Sequence, residues 1–230
     1  MTNIAYGILW ILTRAIGRIW FRYRVQGAVP DTGGVLVAAN HASYLDIPLL
    51  GCGMRRRAWY LGRSDLFPVP GLSGILRSLG WIPVRMGRLD REAFGKAISL
   101  IRAGEVVVIF PEGGRSRDGV LQPPKAGIGV IVSKTGCPVV PAYLKGTFDV
   151  LPTGAKWPRG RQVTVSFGEP IRFDPVDRKE KTETKRFYEQ VSHTIIDHIA
   201  ALGEVPSPLE KDTSAQDASD GSTAETRKAE

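Results

Sequence analysis

A histidine and a carboxylate lie five residues apart in the segment 40–46, which reads NHASYLD. An unperturbed imidazole titrates near neutral pH, so a histidine such as His41 suits the removal of a proton from a hydroxyl group. An ionised carboxylate at Asp46 would fix the tautomer of that ring and raise its basicity. Five residues correspond to about 140° around a helix. The two side chains therefore meet only if His41 lies in a turn and Asp46 lies in the first turn of the helix that follows.

The same segment permits a structural interpretation without catalysis. Ser43 and Asp46 have the spacing of a capping box, in which the carboxylate caps the start of a helix. These residues alone leave both interpretations open.

A second polar segment, 110–116, reads FPEGGRS. Gly113 and Gly114 let the backbone approach a ligand closely or adopt a positive φ. Arg115 offers a bidentate fork for a phosphate group, and Glu112 could orient that arginine or a substrate hydroxyl. The alternative is a Gly-Gly turn with a surface ion pair. Lys125 is a further candidate anion contact, although a single lysine is more often a solvated surface charge.

Both segments follow strand-like runs. Residues 35–39 and 106–110 are continuous apolar stretches, typical of strands that are buried on both faces of a sheet. Further strands are predicted at 58–61, 81–84, 139–144 and 163–167, and helices at 43–51, 72–79, 91–102, 127–134 and 185–202. The alternation predicts an α/β fold with a mostly parallel or mixed central sheet flanked by helices. Ligands of such sheets bind beyond the carboxyl ends of strands, where we expect both segments.

The spacing of basic and apolar residues in the segment 1–24 predicts an amphipathic helix. Three arginines recur every four residues, and large apolar residues fall largely on another side. The arginines are Arg14, Arg18 and Arg22, and the apolar residues are Ile8, Leu12, Ile16 and Trp20. The arginines interrupt the apolar run, so neither a cleavable signal nor a spanning helix of roughly 20 apolar residues is expected. We expect the helix to lie in the membrane interface with its arginines among lipid phosphates. The alternatives are packing on the domain's own core and a tilted or partly spanning insertion.

The charge of the chain is unevenly distributed. Residues 204–230 hold seven acidic and three basic residues and therefore carry a net charge of −4. Because the whole chain carries +8, residues 1–203 carry +12. We expect residues 204–230 to form a disordered acidic tail and residues 25–203 to form the α/β domain. A basic body favours an anionic partner, which could be nucleic acid, a phosphate-bearing metabolite or an anionic membrane. The two cysteines, Cys52 and Cys137, lack metal-ligand spacing, so no zinc site is expected.

Together, the two polar segments are more specific than either alone. Asn-His-x4-Asp, followed about seventy residues later by Phe-Pro-Glu-Gly-x-Arg-Ser, resembles the glycerolipid acyltransferase family, especially bacterial 1-acylglycerol-3-phosphate acyltransferases. Residues 80–85 (GWIPVR) and 139–142 (VVPA) resemble two weaker blocks of that family. The resemblance covers about residues 35–147, roughly half of the chain.

The resemblance implies roles for individual residues. His41 would take the proton from the acceptor hydroxyl, and Asp46 would hold the imidazole. The hydroxyl would attack an acyl thioester of coenzyme A or acyl carrier protein without a covalent acyl-enzyme, and without a metal or other cofactor. Residues implied to bind the acceptor phosphate are Glu112, Gly113 and Arg115, and the block around Pro141 is associated with the acyl group.

Two positions depart from the family pattern. Gly114 stands where the family usually has threonine, which removes a hydroxyl and loosens the turn. The block that commonly ends Val-Asp-Arg here ends at residues 84–86 with Val-Arg-Met. The arginine that contacts the phosphate would then be Arg85 or Arg88. Both departures bear on acceptor specificity more than on reaction type.

The expected activity is acylation of the sn-2 hydroxyl of lysophosphatidic acid to give phosphatidic acid. We expect the enzyme to be peripheral or monotopic at the cytoplasmic face of the cell membrane. Its expected partners are membrane lipids, lysophosphatidic acid and acyl-coenzyme A or acyl carrier protein, and no nucleic acid. The alternatives are acylation of another lysophospholipid or of a different hydroxyl or amine, a non-catalytic module that binds phospholipid, and a basic nucleic-acid binder.

Overall fold

The computed structural model describes residues 4–64, 79–85, 90–174 and 181–210. Its strands are β1 (Arg24–Gln26), β2 (Val35–Ala39), β3 (Ala58–Arg63), β4 (Trp81–Val84), β5 (Val106–Ile109), β6 (Val139–Lys145) and β7 (Thr164–Phe167). Its helices are α1 (Ile4–Trp20), α2 (Asp46–Gly53), α3 (Arg91–Arg102), α4 (Gly127–Thr135), α5 (Thr147–Val150) and α6 (Lys181–Gly203). The helix predicted at 72–79 lies, apart from its last residue, outside the described residues.

The seven described strands form one mixed sheet in the order β1-β7-β6-β2-β5-β3-β4. Strands β2 to β6 run parallel to one another, whereas β7 is antiparallel to β6 and β1 is parallel to β7. The carboxyl ends of five strands therefore share one edge of the sheet. The predicted α/β class with a mixed sheet is confirmed. The sequence interpretation did not include β1, a polar strand of three residues, or the single turn α5.

The core lies on both faces of this sheet. All residues of β2 and β5 are buried, as their continuous apolar runs predict. Alternate side chains point to opposite faces. Val35 and Val37 belong to the core on the side of α1 and α2, whereas Leu36 and Ala38 belong to the core beneath α3, α4 and α6. Helices thus cover both faces, which leaves the edge at the strand ends as the place where loops converge.

The element boundaries follow from local chemistry. The carboxylate of Asp90 accepts hydrogen bonds from the backbone N–H groups of Glu92 and Ala93, which fixes the start of α3. Gly136 adopts φ +61° and ends α4 in the left-handed conformation that glycine tolerates. Pro83 lies within β4, which is an edge strand and therefore accommodates a residue without an N–H group.

Helix α1 docks on α2 and leaves a large apolar surface in solvent. Trp10 Nε1 and Arg14 Nη1 donate to the carbonyl groups of Met54 and Cys52, at 3.3 Å and 2.9 Å. The outer face of α1 consists of exposed apolar residues, namely Ile8, Ile11, Leu12, Ile16, Ile19 and Trp20. The predicted apolar side therefore does not pack on the domain's own core. Within the described ranges, no helix is long and apolar enough to cross a membrane.

The predicted stripe of arginines is only partly present. Arg14 faces α2 and stacks over Trp10 with 4.9 Å between its guanidinium carbon and the ring centroid. Arg22 lies beyond the end of α1 with φ +42°. The prediction of one continuous stripe is wrong, because the helix ends two residues before its third member. Arg18 is exposed on α1 as predicted.

The beginning of the predicted acidic tail packs on the domain. Val205 and Leu209 contact the core beneath α6. Disorder therefore does not begin at residue 204. Residues 211–230 lie outside the described residues, so the prediction for that part stays a prediction.

Candidate active site

His41 and Asp46 contact each other at the carboxyl end of β2. The Nδ1 atom of His41 lies 2.8 Å from Oδ2 of Asp46. Only 11% of the His41 side chain is exposed, and Asp46 is fully buried. His41 lies in the turn after β2 and Asp46 is the first residue of α2, which is the arrangement that their spacing requires.

The carboxylate of Asp46 also orders the turn that precedes α2. The same Oδ2 atom accepts hydrogen bonds from the backbone N–H groups of Ala42, at 2.7 Å, and Ser43, at 2.8 Å. The capping box that the spacing of Ser43 and Asp46 suggested does not form at the start of α2, because Leu45 is the N-cap residue and no side-chain hydrogen bond caps the helix there. One oxygen atom of Asp46 thus orders the turn and contacts the imidazole.

Glu112 joins the second motif to the first. Its Oε1 atom accepts a hydrogen bond from the backbone N–H group of His41 at 2.6 Å, and Oε2 accepts one from Gln122 N–H at 2.9 Å. In addition, the backbone N–H of Ser116 donates to the His41 carbonyl group at 2.7 Å. The loops after β2 and β5, which are neighbouring strands, are therefore fastened together.

Phe110 supports the imidazole from the end of β5. Its ring stacks on that of His41 with 4.1 Å between centroids and 18° between planes. The Phe110 ring is buried. The imidazole is thus fixed by a ring contact, by its hydrogen bond to Asp46 and through its own backbone N–H group.

The position of Glu112 changes the role that the sequence suggested for it. We expected its carboxylate to orient Arg115 or a substrate hydroxyl. Each of its oxygen atoms is instead used by a backbone N–H group, and the side chain is buried. Burial raises the pKa of Glu112 to about 8, although the two hydrogen bonds act in the opposite direction. Glu112 therefore acts as a residue that positions the His41 loop.

This raised pKa makes a prediction for stability. The carboxyl group of Glu112 binds its proton more tightly in the folded protein than in the unfolded chain. Its contribution to the free energy of unfolding is therefore fully present below pH 4.5, the usual pKa of a glutamate side chain. It is lost progressively as the pH rises to about 8. We expect Glu112→Gln to flatten the pH dependence of the free energy of unfolding by up to about 1 kcal/mol per pH unit in this window. Urea unfolding of both proteins across this range measures the slopes, and equal slopes would contradict the assignment.

The turn at 112–115 presents cationic groups at the same edge of the sheet. Gly113 has φ +72°, and the Lys125 side chain occupies the space where a Cβ would lie, with Nζ 2.7 Å from that position. A side chain at residue 113 would therefore both strain the backbone and displace the lysine. The guanidinium carbon of Arg115 lies 3.5 Å from the centroid of the Tyr44 ring, which belongs to the first motif. Lys125 and Arg115 thus flank the joined loops.

Of the remaining candidate residues, the structure places Arg85 and Pro141. Arg85 follows β4 at the same edge of the sheet, and its guanidinium is hydrogen-bonded to Asp90 and Glu92 at 3.1 Å. The hydrogen bond and charge of Asp90 raise the pKa of Arg85. Arg88 lies outside the described residues. Pro141 is buried within β6, where it pairs with Ala38 of β2, so it is part of the sheet.

Neither cysteine is placed to act as a nucleophile. Cys52 and Cys137 are buried, and burial raises the pKa of the Cys52 thiol to about 11. The hydroxyl group of Ser43 is also buried, and it donates to the Leu151 carbonyl group at 2.9 Å. In the part of the chain that the structure describes, no cluster of histidine, cysteine and acidic side chains is arranged to hold a metal ion.

Comparison with known proteins identifies the family. A family profile described as acyltransferase matches residues 21–145, which include the turn at His41, the turn at Arg115 and Pro141. The chain belongs to the acyltransferase family. The resemblance to glycerolipid acyltransferases inferred from the motifs is confirmed.

Three relatives of this acyltransferase-family chain are informative. A chloroplastic 1-acyl-sn-glycerol-3-phosphate acyltransferase from Brassica napus is 36% identical over 129 residues, which cover 55% of this chain and 37% of that protein. The chain therefore spans about a third of that relative. A lyso-ornithine lipid O-acyltransferase from Pseudomonas aeruginosa is 28% identical and is matched over 74% of this chain and 72% of its own length. The crystal structure of the 1-acyl-sn-glycerophosphate acyltransferase PlsC from Thermotoga maritima has a TM-score of 0.64 and 26% identity, covering 89% of this chain and 83% of that one.

Two contacts at the site of this acyltransferase-family domain were not expected from the sequence. Phe110 was assigned to the end of a strand and the start of the second motif, without a role of its own, and Tyr44 had no assigned role. Both are aromatic residues within the motif segments, which is a signal that could have suggested ring contacts with the histidine and the arginine. Their partners come from the other motif, so the pairing depends on the adjacency of β2 and β5.

Proposed function

We propose that the protein transfers a fatty acyl group from an acyl thioester to the sn-2 hydroxyl of 1-acylglycerol 3-phosphate, giving phosphatidic acid. The observation that carries this proposal is the 2.8 Å contact between His41 and Asp46, at an edge of the sheet shared with the turn that bears Arg115. The names of the Brassica napus and Thermotoga maritima relatives support the same reaction. The donor would be acyl-coenzyme A or acyl carrier protein.

The geometry around His41 suits general-base catalysis. With Nδ1 donating to Asp46, the Nε2 atom is the ring nitrogen that can accept a proton from the acceptor hydroxyl. The resulting imidazolium is stabilised by the buried carboxylate. The hydroxyl oxygen then attacks the thioester carbonyl carbon. When the tetrahedral intermediate collapses, the carbon–sulfur bond breaks and the departing sulfur takes the proton from the imidazolium, which leaves as product a free thiol and restores neutral His41. Since no protein nucleophile is involved, we expect no covalent acyl-enzyme.

The cationic side chains beside this base suit a phosphate-bearing acceptor. Arg115 provides a planar fork that can bind two phosphate oxygens, and the Tyr44 ring beneath it restricts its orientation. Lys125 adds a point charge above Gly113. Arg85 is less suited to this task, because Asp90 and Glu92 already engage its guanidinium group. We therefore propose Arg115 and Lys125 as the principal phosphate contacts.

The outer face of α1 suits attachment to a lipid bilayer. Its exposed apolar residues, such as Ile11 and Ile19 at 61% and 85% exposure, form a contiguous patch of the kind that membranes or partner proteins cover. A cavity of about 460 Å³ is lined by Arg14 and Arg18 of α1 and by Arg24 of β1 among others, which places positive charge beside this helix. We propose peripheral or monotopic binding at the cytoplasmic face of the cell membrane.

An acyl-transfer assay tests the proposed function directly. Purified protein is supplied with each thioester donor and a panel of lysolipids, and release of free thiol is measured. We expect turnover with lysophosphatidic acid as acceptor. Tight vesicle binding without thiol release from any donor would instead favour a non-catalytic lipid-binding module. Steeply salt-dependent binding of DNA or RNA would favour a nucleic-acid binder.

Removal of the Arg115 guanidinium should weaken acceptor binding. We expect Arg115→Ala to raise KM for lysophosphatidic acid by about ten- to a hundredfold, because a charge-assisted hydrogen bond to phosphate is lost, with a smaller effect on kcat. Arg117→Ala is the matched control, since Arg117 is exposed two residues farther along the same turn. Steady-state kinetics with varied acceptor measures both constants. An unchanged KM in Arg115→Ala would contradict the phosphate contact.

A second candidate function is acylation of a different lysolipid. The Pseudomonas aeruginosa relative, named for lyso-ornithine lipid, is matched over most of both chains. Open space beside Gly114, together with the engagement of Arg85 by acidic residues, leaves room for an acceptor with another headgroup. Turnover with lyso-ornithine lipid that exceeds turnover with lysophosphatidic acid would favour this second function.

A further inference from the structure

The segment 152–162, between α5 and β7, is a basic loop with an exposed tryptophan. It reads PTGAKWPRGRQ and contains three basic residues and no acidic residue. Residues 153–162 are all exposed, and 82% of Trp157 is accessible to solvent. A single exposed apolar side chain is ordinary on a protein surface, so the meaning of this indole depends on whether other exposed apolar residues lie beside its loop.

The loop links the end of α1 to the candidate active site. A Cβ on Gly160 would lie 3.6 Å from Cδ1 of Trp20, the last residue of α1. At the other end, the hydroxyl of Thr153 donates to the Ser116 carbonyl group at 3.0 Å. Ser43, beside His41, donates to the Leu151 carbonyl group immediately before the loop. The loop thus adjoins the exposed apolar face of α1 and is fastened to both motif segments.

We infer that the 152–162 loop is a second membrane-binding element that inserts Trp157 among the headgroups of an anionic bilayer. This inference rests on the proposed function, in which the α1 face contacts lipid. Lys156, Arg159 and Arg161 supply the positive charge that anionic headgroups attract, and tryptophan is enriched at the level of the headgroups. The loop approaches Trp20, which ends the exposed apolar face of α1. This position favours a bilayer over an acidic protein, because acyl chains cover such a face and charged side chains do not.

The second contact has a mechanical effect. A single interfacial helix can roll about its own axis, so it does not fix the direction in which the domain faces. A loop at the end of that helix, fastened to the His41 and Ser116 turns, removes this freedom. The site is then held at a constant height and orientation above the lipid surface.

Vesicle binding tests the inference. The probes are vesicles of equal parts phosphatidylglycerol and phosphatidylcholine, compared with vesicles of phosphatidylcholine alone. We expect Trp157→Ala to weaken binding to the mixed vesicles about tenfold. We expect the combined Lys156→Gln, Arg159→Gln and Arg161→Gln variant to weaken it about ten- to a hundredfold, with little effect on the neutral vesicles. Both variants change only exposed side chains, so folding should be preserved.

A matched control removes the same charge elsewhere. Arg91, Lys96 and Lys134 are exposed on α3 and α4, on the opposite face of the sheet from α1. Their combined replacement by glutamine should change the affinity for mixed vesicles by about twofold or less. Equal losses in the control and the loop variant would overturn the inference, because the effect would then reflect net charge alone.

Acyl transfer gives an independent measurement. We expect Trp157→Ala to lower the rate about tenfold with the lysolipid in vesicles and to leave it unchanged with the lysolipid in detergent micelles. A loss in both would overturn the inference by assigning the loop to the chemistry. Weakened binding of acyl carrier protein with normal vesicle binding would overturn it in favour of protein docking. If the wild type transfers no acyl group, the proposed function fails, whereas the vesicle comparison still decides the role of the loop.

Discussion

Replacement of His41 by alanine should lower kcat by about 10²–10⁴ while the fold is retained, because the base that accepts the hydroxyl proton is lost. Its neighbours are held by other contacts, since Phe110 packs in the core and Asp46 accepts from two backbone N–H groups. We therefore expect circular dichroism and the unfolding temperature to change little. Thiol release from the acyl donor in the presence of lysophosphatidic acid measures the rate.

The matched control uses another histidine of the same chain. His193 is exposed on α6, so His193→Ala removes an imidazole without touching the site. Its kcat should equal that of the wild type. If His41→Ala and the wild type transfer the acyl group at equal rates, His41 is not the base, whatever the identity of the acceptor.

Replacement of Asp46 by asparagine should lower kcat by about 10- to 10³-fold, because an opposite charge this close to a titratable group shifts its pKa by about 1–3 units. One oxygen atom of Asp46 accepts from the backbone of Ala42 and Ser43 and also contacts the ring of His41. The amide oxygen of asparagine can take the same position, so the turn and the ring orientation should be retained. Asparagine lacks, however, the charge that stabilises the imidazolium.

Ser43→Ala separates the structural role of this turn from its chemistry. It removes a hydroxyl that accepts from Leu45 N–H and donates to the Leu151 carbonyl group, but it leaves the backbone N–H that Asp46 binds. We expect a stability loss of about 1 kcal/mol with kcat within a few-fold of the wild type. If Asp46→Asn lowers the free energy of unfolding by a similar amount and retains kcat, the carboxylate of Asp46 serves only to order the turn before α2.

Much of the fold could be predicted from local patterns. The buried strands at the centre of the sheet are nearly continuous apolar runs. Helix α3 begins at residue 91, as predicted, and Asp90 immediately before it is the N-cap residue. The three-residue strand β1 could not be predicted, because its polar sequence RVQ owes its conformation to pairing with β7 about 140 residues later. The loss of one member from the arginine stripe has a similar cause, since the helix ends where Phe21 turns into the core.

The site was predictable in its residues and less so in its contacts. The spacing of His41 and Asp46 required a turn followed by a helix, and the structure has that geometry. The role of Glu112 was not predictable, because a charged side chain between a proline and two glycines suggests a group that faces substrate. Its actual partners are backbone N–H groups from two other segments. Which backbone groups need an acceptor is decided by tertiary structure, and no pattern of side chains encodes it.

The bond from His41 N–H to Glu112 has a consequence for protein engineering. The histidine depends on a carboxylate 71 residues away in sequence, which reaches it only because β2 and β5 are adjacent and parallel. A graft of the segment NHASYLD alone onto another scaffold would carry the imidazole and its aspartate but would lose the anchor of its main chain. The smallest transplantable unit is therefore a pair of loops on neighbouring parallel strands, moved together with the strand spacing that separates them.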